Sequence, residues 1–184
     1  MKLLGHLKTV IKHRHAVFAL CRKCGIGMQG LTHDLSKFTP TEFIPSVKYF
    51  TGTRSPNEGE RAAYGYSKAW LHHKGRNKHH FEYWFDYNMS KHRVEPVRMP
   101  ERFVVEMFCD RVAASKTYRG KEYSEDYPLF YFLKGKANRV IDRRTSDELE
   151  ALLTMLRDDG EDRTAAYIKA KVKGHSKYDV FDLI

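Results

Sequence analysis

The chain has few cysteines, no long apolar run and no segment in which apolar and polar residues alternate for the length of a strand. Its three cysteines, an odd number, exclude a framework of paired disulfides and favour a reducing compartment. No run of about 18 apolar residues occurs, and charged and imidazole side chains interrupt the N-terminal sequence MKLLGHLKTVIKHRH. We therefore expect no membrane-spanning helix, no signal peptide, no membrane partner and a cytoplasmic location.

Length and apolar content limit the architecture. With 184 residues, 41% of them hydrophobic and 13% aromatic, the chain can bury one core of ordinary size but hardly a second one. Because alternation of period 2 is lacking while apolar stripes of period 3.6 recur, the sequence predicts an all-α fold. We expect a single compact multi-helix domain over 1–184, with a core at about 3–120 and C-terminal helices at about 125–173 packed on it.

Capping signals and glycines divide the chain into predicted helices. The sequences T-P-T-E at 39–42 and T-S-D-E at 145–148 have the form of capping boxes, and Asn77 is placed to cap a helix that begins KHHFEYWFDY. The predicted elements are a helix over 3–24; a turn at about 29–36; a helix from Thr39, bent or ended near Pro45; one from 57 to about 73; and later helices beginning at Asn77, at Pro100, after Ser124, at 145 and at about 161.

Basic residues outnumber acidic ones, and this excess restricts the partners. With 33 Lys and Arg against 23 Asp and Glu, the formal charge is +10, which attracts phosphorylated small molecules, nucleic acid or acidic lipid headgroups. No nucleic-acid-binding motif accompanies the charge, and the aromatic residues do not interleave with basic ones along a strand. A phosphorylated small molecule or a nucleotide is the expected substrate, and a basic nucleic-acid-binding module is the non-catalytic alternative.

Histidines and acidic residues are concentrated at a few places. The sequence LTHDLSKFTPTE at 31–42 puts His33 beside Asp34, and Asp110 lies between Phe108 and Val112, where a carboxylate is costly to bury unless it is paired or binds a cation. Further histidines stand in the first predicted helix and on both sides of Gly75: His13, His15, His72, His73, His79 and His80. Imidazole and carboxylate ligands without thiolates suit Fe, Mn, Co, Ni or Zn, so one or two divalent transition-metal ions are predicted.

These residues resemble the signature of a known superfamily. The order His13, His33-Asp34 and Asp110 resembles the H…HD…D pattern of the HD superfamily of metal-dependent phosphohydrolases, and HDLSKFTP is similar to the HD-x-x-K turn of several of its branches. The segments GYSKAWLHHKGRNKHHFEYW and EMFCDRVAASK are similar to a bacterial family of HD-like proteins. HH-x-E at 79–82 resembles the paired histidines of the cyclic-dinucleotide phosphodiesterase branch, although the G-Y-P element of that branch is missing.

The resemblance implies an HD-domain-like helical bundle and a set of metal ligands. The first His, the HD pair and the last Asp would bind one metal, and histidines in the middle of the chain would hold a second. His13 and His15 point about 200° apart on a helix and cannot both face one site, and the related family favours His13. The ligands expected on this basis are His13, His33, Asp34, His73, His80 and Asp110.

Other residues are expected to act on the substrate. Lys37 lies four residues after His33, so on one helix it would share that face and could neutralise a phosphate. Glu106, one helical turn before Asp110, would orient a ligand or accept a proton. The expected catalytic residues are Asp34, Lys37 and Glu106, and the expected substrate contacts are Lys37, Asn77, His79, Arg111 and Lys116.

The expected function is metal-dependent hydrolysis of a phosphoester, such as a nucleotide, through a metal-activated water. HD-type di-iron oxygenases use a ligand set of four histidines and two aspartates, so oxidation is the enzymatic alternative. The ligand set alone does not separate the two reactions.

Overall fold

The computed structural model describes residues 2–184, which are mostly helical and include one small antiparallel sheet. The predicted helical class is therefore confirmed. The two-stranded hairpin was not predicted. Among the described residues the α-helices are α1 (Lys2–Lys23), α2 (Gly27–Thr32), α3 (Pro40–Tyr49), α4 (Pro56–Tyr64), α5 (Lys68–Lys74), α6 (Glu101–Arg119), α7 (Tyr127–Lys134), α8 (Arg143–Asp159) and α9 (Glu161–Val172). None of these helices is both long and apolar enough to cross a membrane.

Helix α6 lies at the centre of the fold. Residues 103–109 of this helix are buried without interruption, so neighbouring elements cover it on all sides. Helices α1, α7, α8 and α9 pack around it. The core they share includes Val17, Phe108, Phe132, Leu152 and Ile168, all without exposed surface. Acidic residues on α6 are consequently brought into the interior.

Helix α2 approaches α1 closely because residue 30 is glycine. A Cβ atom at Gly30 would lie 2.5 Å from Cys21 Cβ and 3.2 Å from Phe18 Cα. Only a residue without a side chain allows this contact. The approach sets the position of the chain that follows α2, which carries His33 and Asp34.

The predicted helix from 57 to about 73 is two helices. Helix α4 ends at Gly65, whose φ of 78° is in the left-handed region that favours glycine. Helix α5 then begins after Ser67, whose hydroxyl accepts a hydrogen bond from Trp70 N at 3.0 Å. Glu60 on α4 accepts from the same hydroxyl at 2.6 Å, so the two short helices are joined at the break.

The helix predicted from Asn77 does not form. Residues Phe81–Tyr83 form one 3₁₀ turn, and strands β1 (Phe85–Asn88) and β2 (Arg93–Pro96) pair as an antiparallel hairpin. The side chain of Asn77 donates to the carbonyl of His73 at 2.8 Å and does not cap a helix. Strands of only four residues leave too short a pattern to be detected, and aromatic residues such as those in FEYWFDY favour strands.

Two predicted helix starts also moved, and a third helix is longer than predicted. Asp142 caps α8, since its carboxylate accepts from Thr145 N at 2.9 Å, so the predicted capping box at 145–148 lies inside the helix. Helix α7 begins at Tyr127, beyond Ser124. Helix α3 starts at Pro40 as expected but continues through Pro45 to Tyr49, and Thr39 makes no side-chain cap.

We expect Gly30→Ala to destabilise the protein by about 1–3 kcal/mol, because the added methyl group would force α1 and α2 apart. Gly27→Ala is the matched control on the same helix: its Cβ would come no closer than 3.6 Å to another atom, and its effect should stay within about 0.5 kcal/mol. Urea unfolding of both variants measures the difference. Equal free energies of unfolding would contradict the close approach of the two helices.

Candidate metal centre

His33 and Asp34 lie at a break between helices rather than within the predicted helical turn. Helix α2 ends at Thr32, and Asp34 has a φ of 55°, in the left-handed region that Asp tolerates better than most residues. Arg14 fixes the break, because its Nε donates to the carbonyl of His33 at 2.8 Å and its Nη2 donates to that of Leu31 at 3.0 Å. The turn directs both side chains inward, where they are buried.

The first group of potential ligands joins α1, this turn and α6. His13 Nε2 lies 3.0 Å from Asp110 Oδ1 and 4.0 Å from Asp34 Oδ2. His33 Nε2 lies 3.2 Å from Asp34 Oδ2 and 3.6 Å from Asp110 Oδ1. His15, the other candidate for the first ligand, is exposed on the opposite side of α1. The spacing of α1 therefore brings His13 to the centre and leaves His15 outside.

The second group forms around the other oxygen of Asp34. His73 Nε2 on α5 lies 3.3 Å from Asp34 Oδ1, and His79 Nε2 lies 3.5 Å from the same oxygen. His80 Nε2 lies 2.9 Å from His73 Nε2. His79 was expected to contact substrate, but its ring points to the centre together with the two predicted ligands. One carboxylate thus belongs to two ligand groups.

Several buried atoms at the centre have no hydrogen-bond partner among residues 2–184. They are His13 Nε2, His33 Nε2, His79 Nε2 and Asp34 Oδ1, whereas Asp34 Oδ2 has Lys37 Nζ as an ion-pair partner at 2.6 Å. Within each group the potential ligand atoms lie within 4.8 Å of one another, close to twice a metal–ligand bond of about 2.0–2.2 Å. Burying these polar atoms without partners is costly, and a divalent cation would satisfy them. These buried His and Asp groups could therefore hold a metal ion.

Glu106 orients two of the imidazoles from outside. Its Oε1 accepts hydrogen bonds from His33 Nδ1 at 3.0 Å and from His79 Nδ1 at 3.2 Å, while Gln29 donates to its Oε2 at 3.0 Å. Although burial acts in the other direction, the hydrogen bonds from the two histidines lower the pKa of Glu106 to about 2. Because Glu106 holds Nδ1 of both rings, Nε2 is the nitrogen that faces the centre. Of the two roles expected for Glu106, its position fits the orientation of metal ligands, because its carboxylate faces the outer edges of the rings and does not line the cavity.

Glu42 on α3 orients His73 in the same way, a role that no sequence pattern indicated. Its Oε2 lies 2.7 Å from His73 Nδ1 and its Oε1 lies 2.6 Å from His72 Nδ1. The predicted capping box assigned this carboxylate to the start of α3, but Thr39 instead donates its hydroxyl to the carbonyl of Ser36. His72 therefore stands outside the centre, and Glu42 is a positioning residue for His73.

The charges at the centre strongly affect one another. Against the effect of burial, His33, Lys37 and His73 hold the pKa of Asp34 well below its usual range. Lys37 Nζ is an ion-pair partner of Asp34 Oδ2 at 2.6 Å. Burial, together with His79 and His73, lowers the pKa of His80 well below its usual value, so this imidazole is neutral, as ligation requires.

A cavity of about 520 Å³ opens onto the centre. Lys37 and Arg111 line it, as expected for residues that contact substrate. Asn77 and Lys116 do not: the amide of Asn77 donates to Ser36 Oγ at 2.7 Å, and Lys116 pairs with Glu161 on α9. The prediction of substrate contacts by these two residues is therefore not supported by their positions.

We expect His13→Ala to weaken the binding of a divalent transition metal by more than about 100-fold, because it removes a ligand of the first group. His15→Ala makes the same substitution two residues away on the exposed face of α1 and should leave metal affinity unchanged. Calorimetric titration of the metal-free proteins with Mn²⁺ or Zn²⁺ measures both. Similar affinities in the two variants would show that His13 is not a ligand.

We expect Glu106→Gln to lower metal affinity by about 10–100-fold, since a neutral amide no longer fixes both histidine rings. Glu101→Gln is the control, because Glu101 is fully buried on the same helix but pairs with Arg98 away from the centre. Metal titration combined with thermal unfolding separates lost affinity from lost stability. Equal metal affinity in the two variants would contradict the positioning role.

Residues 2–155 match DUF5662, a family of unknown function. No curated protein and no solved structure matches the chain. The matched segment contains every side chain of the two ligand groups together with Glu42 and Glu106. Because the match covers most of the sequence, the chain belongs to the DUF5662 family.

Proposed function

We propose that this protein is a metal-dependent phosphohydrolase. The observation that carries the proposal is the pair of ligand groups that share Asp34 at the base of an open cavity, which Lys37 and Arg111 also line. The order of His13, His33-Asp34 and Asp110 resembles the HD superfamily, and the convergence of these four residues in one group supports that resemblance.

The proposed centre holds two divalent ions. His13, His33, Asp34 and Asp110 would bind one of them, and Asp34, His73, His79 and His80 would bind the other. Asp34 belongs to both groups, so its carboxylate would serve both ions, as expected for the two-metal sites of phosphatases. When bound, such ions supply Lewis-acid polarisation of the phosphoryl group and acidify a water molecule.

The side chains of the cavity wall would bind and orient the phosphoester. Lys37 is held against Asp34 yet keeps part of its side chain exposed, so its ammonium can also contact a phosphoryl oxygen. Arg111, which follows the ligand Asp110, offers a second cation on the same wall. Tyr118 also lines the cavity, where its hydroxyl can donate a hydrogen bond to an oxygen of the substrate.

We expect the metal-loaded protein to hydrolyse 4-nitrophenyl phosphate or bis(4-nitrophenyl) phosphate. Asp34→Asn and Asp110→Asn should reduce the rate by at least about 100-fold, because both remove a ligand and a charge. Lys37→Gln should keep the metal but reduce kcat/KM by about 10–100-fold, since one phosphate contact is lost. Lys12→Gln, an equal loss of charge on the exposed face of α1, is the control. Release of nitrophenol measures the rate of hydrolysis, and elemental analysis measures the metal content of each variant.

Other outcomes would identify a different function. Absence of hydrolysis with every metal, together with bound iron and an optical change on addition of oxygen, would replace the proposal by an HD-type di-iron oxygenase. Absence of metal, together with an affinity for RNA that falls steeply with salt, would favour a basic nucleic-acid-binding protein. Loss of metal in Lys37→Gln would make this lysine a structural partner of Asp34.

A further inference from the structure

A second groove, of about 690 Å³, adjoins the metal cavity. Phe81, Glu82, Arg111 and Tyr131 line both spaces and form the wall between them. Arg111, in this wall, directly follows the potential ligand Asp110 in the sequence. The groove is therefore next to the metal centre. A ligand bound at the centre can therefore extend over this wall into the groove.

The groove is positively charged. Lys74, Arg111 and Arg139 line it, and within residues 2–184 none of the three makes an ion pair. Glu82 supplies the one carboxylate of its lining. Three cations against one carboxylate leave an excess of two positive charges, which favours an anion in a partly enclosed space.

The cations of the groove are held in place by packing. Arg139 and Arg111 both stack on Phe132, with their guanidinium carbons 4.9 and 5.8 Å from the ring centre. Arg139 Nη1 also donates to the carbonyl of Phe132 at 2.6 Å. Gly135 provides the space for this side chain, because a Cβ there would lie 2.6 Å from Arg139 Nη2. A fixed guanidinium loses little entropy when it binds an anion.

One guanidinium donor in the groove has no partner. The Nε atom of Arg111 is buried and makes no hydrogen bond with the described residues. Two neighbouring guanidinium groups repel each other, and an unsatisfied buried donor adds to that cost. An anion with several oxygens, positioned beside Arg111 and Arg139, would reduce the repulsion between the two guanidinium groups and would accept hydrogen bonds from them.

We propose that this groove binds a second phosphate group of the substrate, which would make the substrate a phosphoester with two separated phosphates. The inference rests on the proposed function, since it places the first phosphate at the metal centre. The side chains of Phe81 and Tyr131, in the shared wall, would cover the apolar part of the ligand between its two charged ends.

Matched ligands test the inference. The probes are the bisphosphates of butane-1,4-diol, hexane-1,6-diol and octane-1,8-diol, each compared with the alkyl monophosphate of the same chain length. Calorimetry on the metal-loaded protein measures the affinity of each. We expect the best bisphosphate to bind at least about tenfold more tightly than its monophosphate, because a second charge-assisted contact is added.

Variants locate the second contact. Arg139→Gln and Lys74→Gln should each remove most of this advantage and leave the affinity for the monophosphate unchanged. Arg163→Gln is the control, since Arg163 is exposed on α9 and lines neither space, and it should keep the advantage. Thermal unfolding verifies that the variants are folded, and Arg139→Lys, which retains the charge, should recover part of the advantage.

The results that would overturn the inference differ from those that would overturn the proposed function. Equal affinities for bisphosphates and monophosphates in the parent protein would overturn the second site, even if nitrophenyl esters are hydrolysed. Loss of the advantage in Arg163→Gln as well would assign it to overall charge and also overturn the site. A clear advantage that depends on Arg139, in a protein without hydrolytic activity, would support the groove and overturn only the phosphohydrolase.

Discussion

The buried carboxylate of Asp34 is the interaction on which the rest of the site depends. It is 1% exposed, and taking an ionised carboxylate out of water costs several kcal/mol unless its surroundings compensate. Its two oxygens face imidazoles on different elements, and Lys37 pairs with one of them. Helix α1, the turn after α2, α5, the loop that follows it and α6 therefore converge on one side chain. The left-handed backbone at Asp34 is the local cost of that convergence, of the order of 1 kcal/mol.

Charge is arranged in layers around this residue. Asp34 and Asp110 lie at the centre, and Glu106 and Glu42 contact the outer nitrogens of the histidines. This interior is acidic, whereas the whole chain carries a formal charge of +10. An acidic interior favours a cation, and a basic exterior with a positively charged groove favours an anionic ligand beside it. Both preferences agree with the proposed metal-dependent hydrolysis of a phosphorylated molecule.

The hairpin explains how a loop can carry two potential ligands in fixed positions. Trp84, which precedes β1, donates its Nε1–H to the carbonyl of Lys78 at 2.7 Å and packs on Phe103 of α6 at a ring distance of 5.5 Å. Val97, which follows β2, donates its N–H to the carbonyl of Trp84 at 3.0 Å. These contacts attach the segment with His79 and His80 to the central helix. Rigid support of this kind lets loop residues serve a binding site.

Local sequence patterns determined the helical class, the adjacency of His33 and Asp34, and the placement of His13 and His15 on different faces of α1. Each of these follows from periodicity or from covalent neighbours, so no distant residue is needed to infer it. The roles of Glu42 and His79, the hairpin and the left-handed turn at Asp34 were decided by the tertiary structure. Glu42 meets partners 30 and 31 residues away, and Glu106 meets one 73 residues away. Hydrogen bonds of that range depend on how the helices pack, and packing overrides the local preference that made Glu42 resemble part of a capping box.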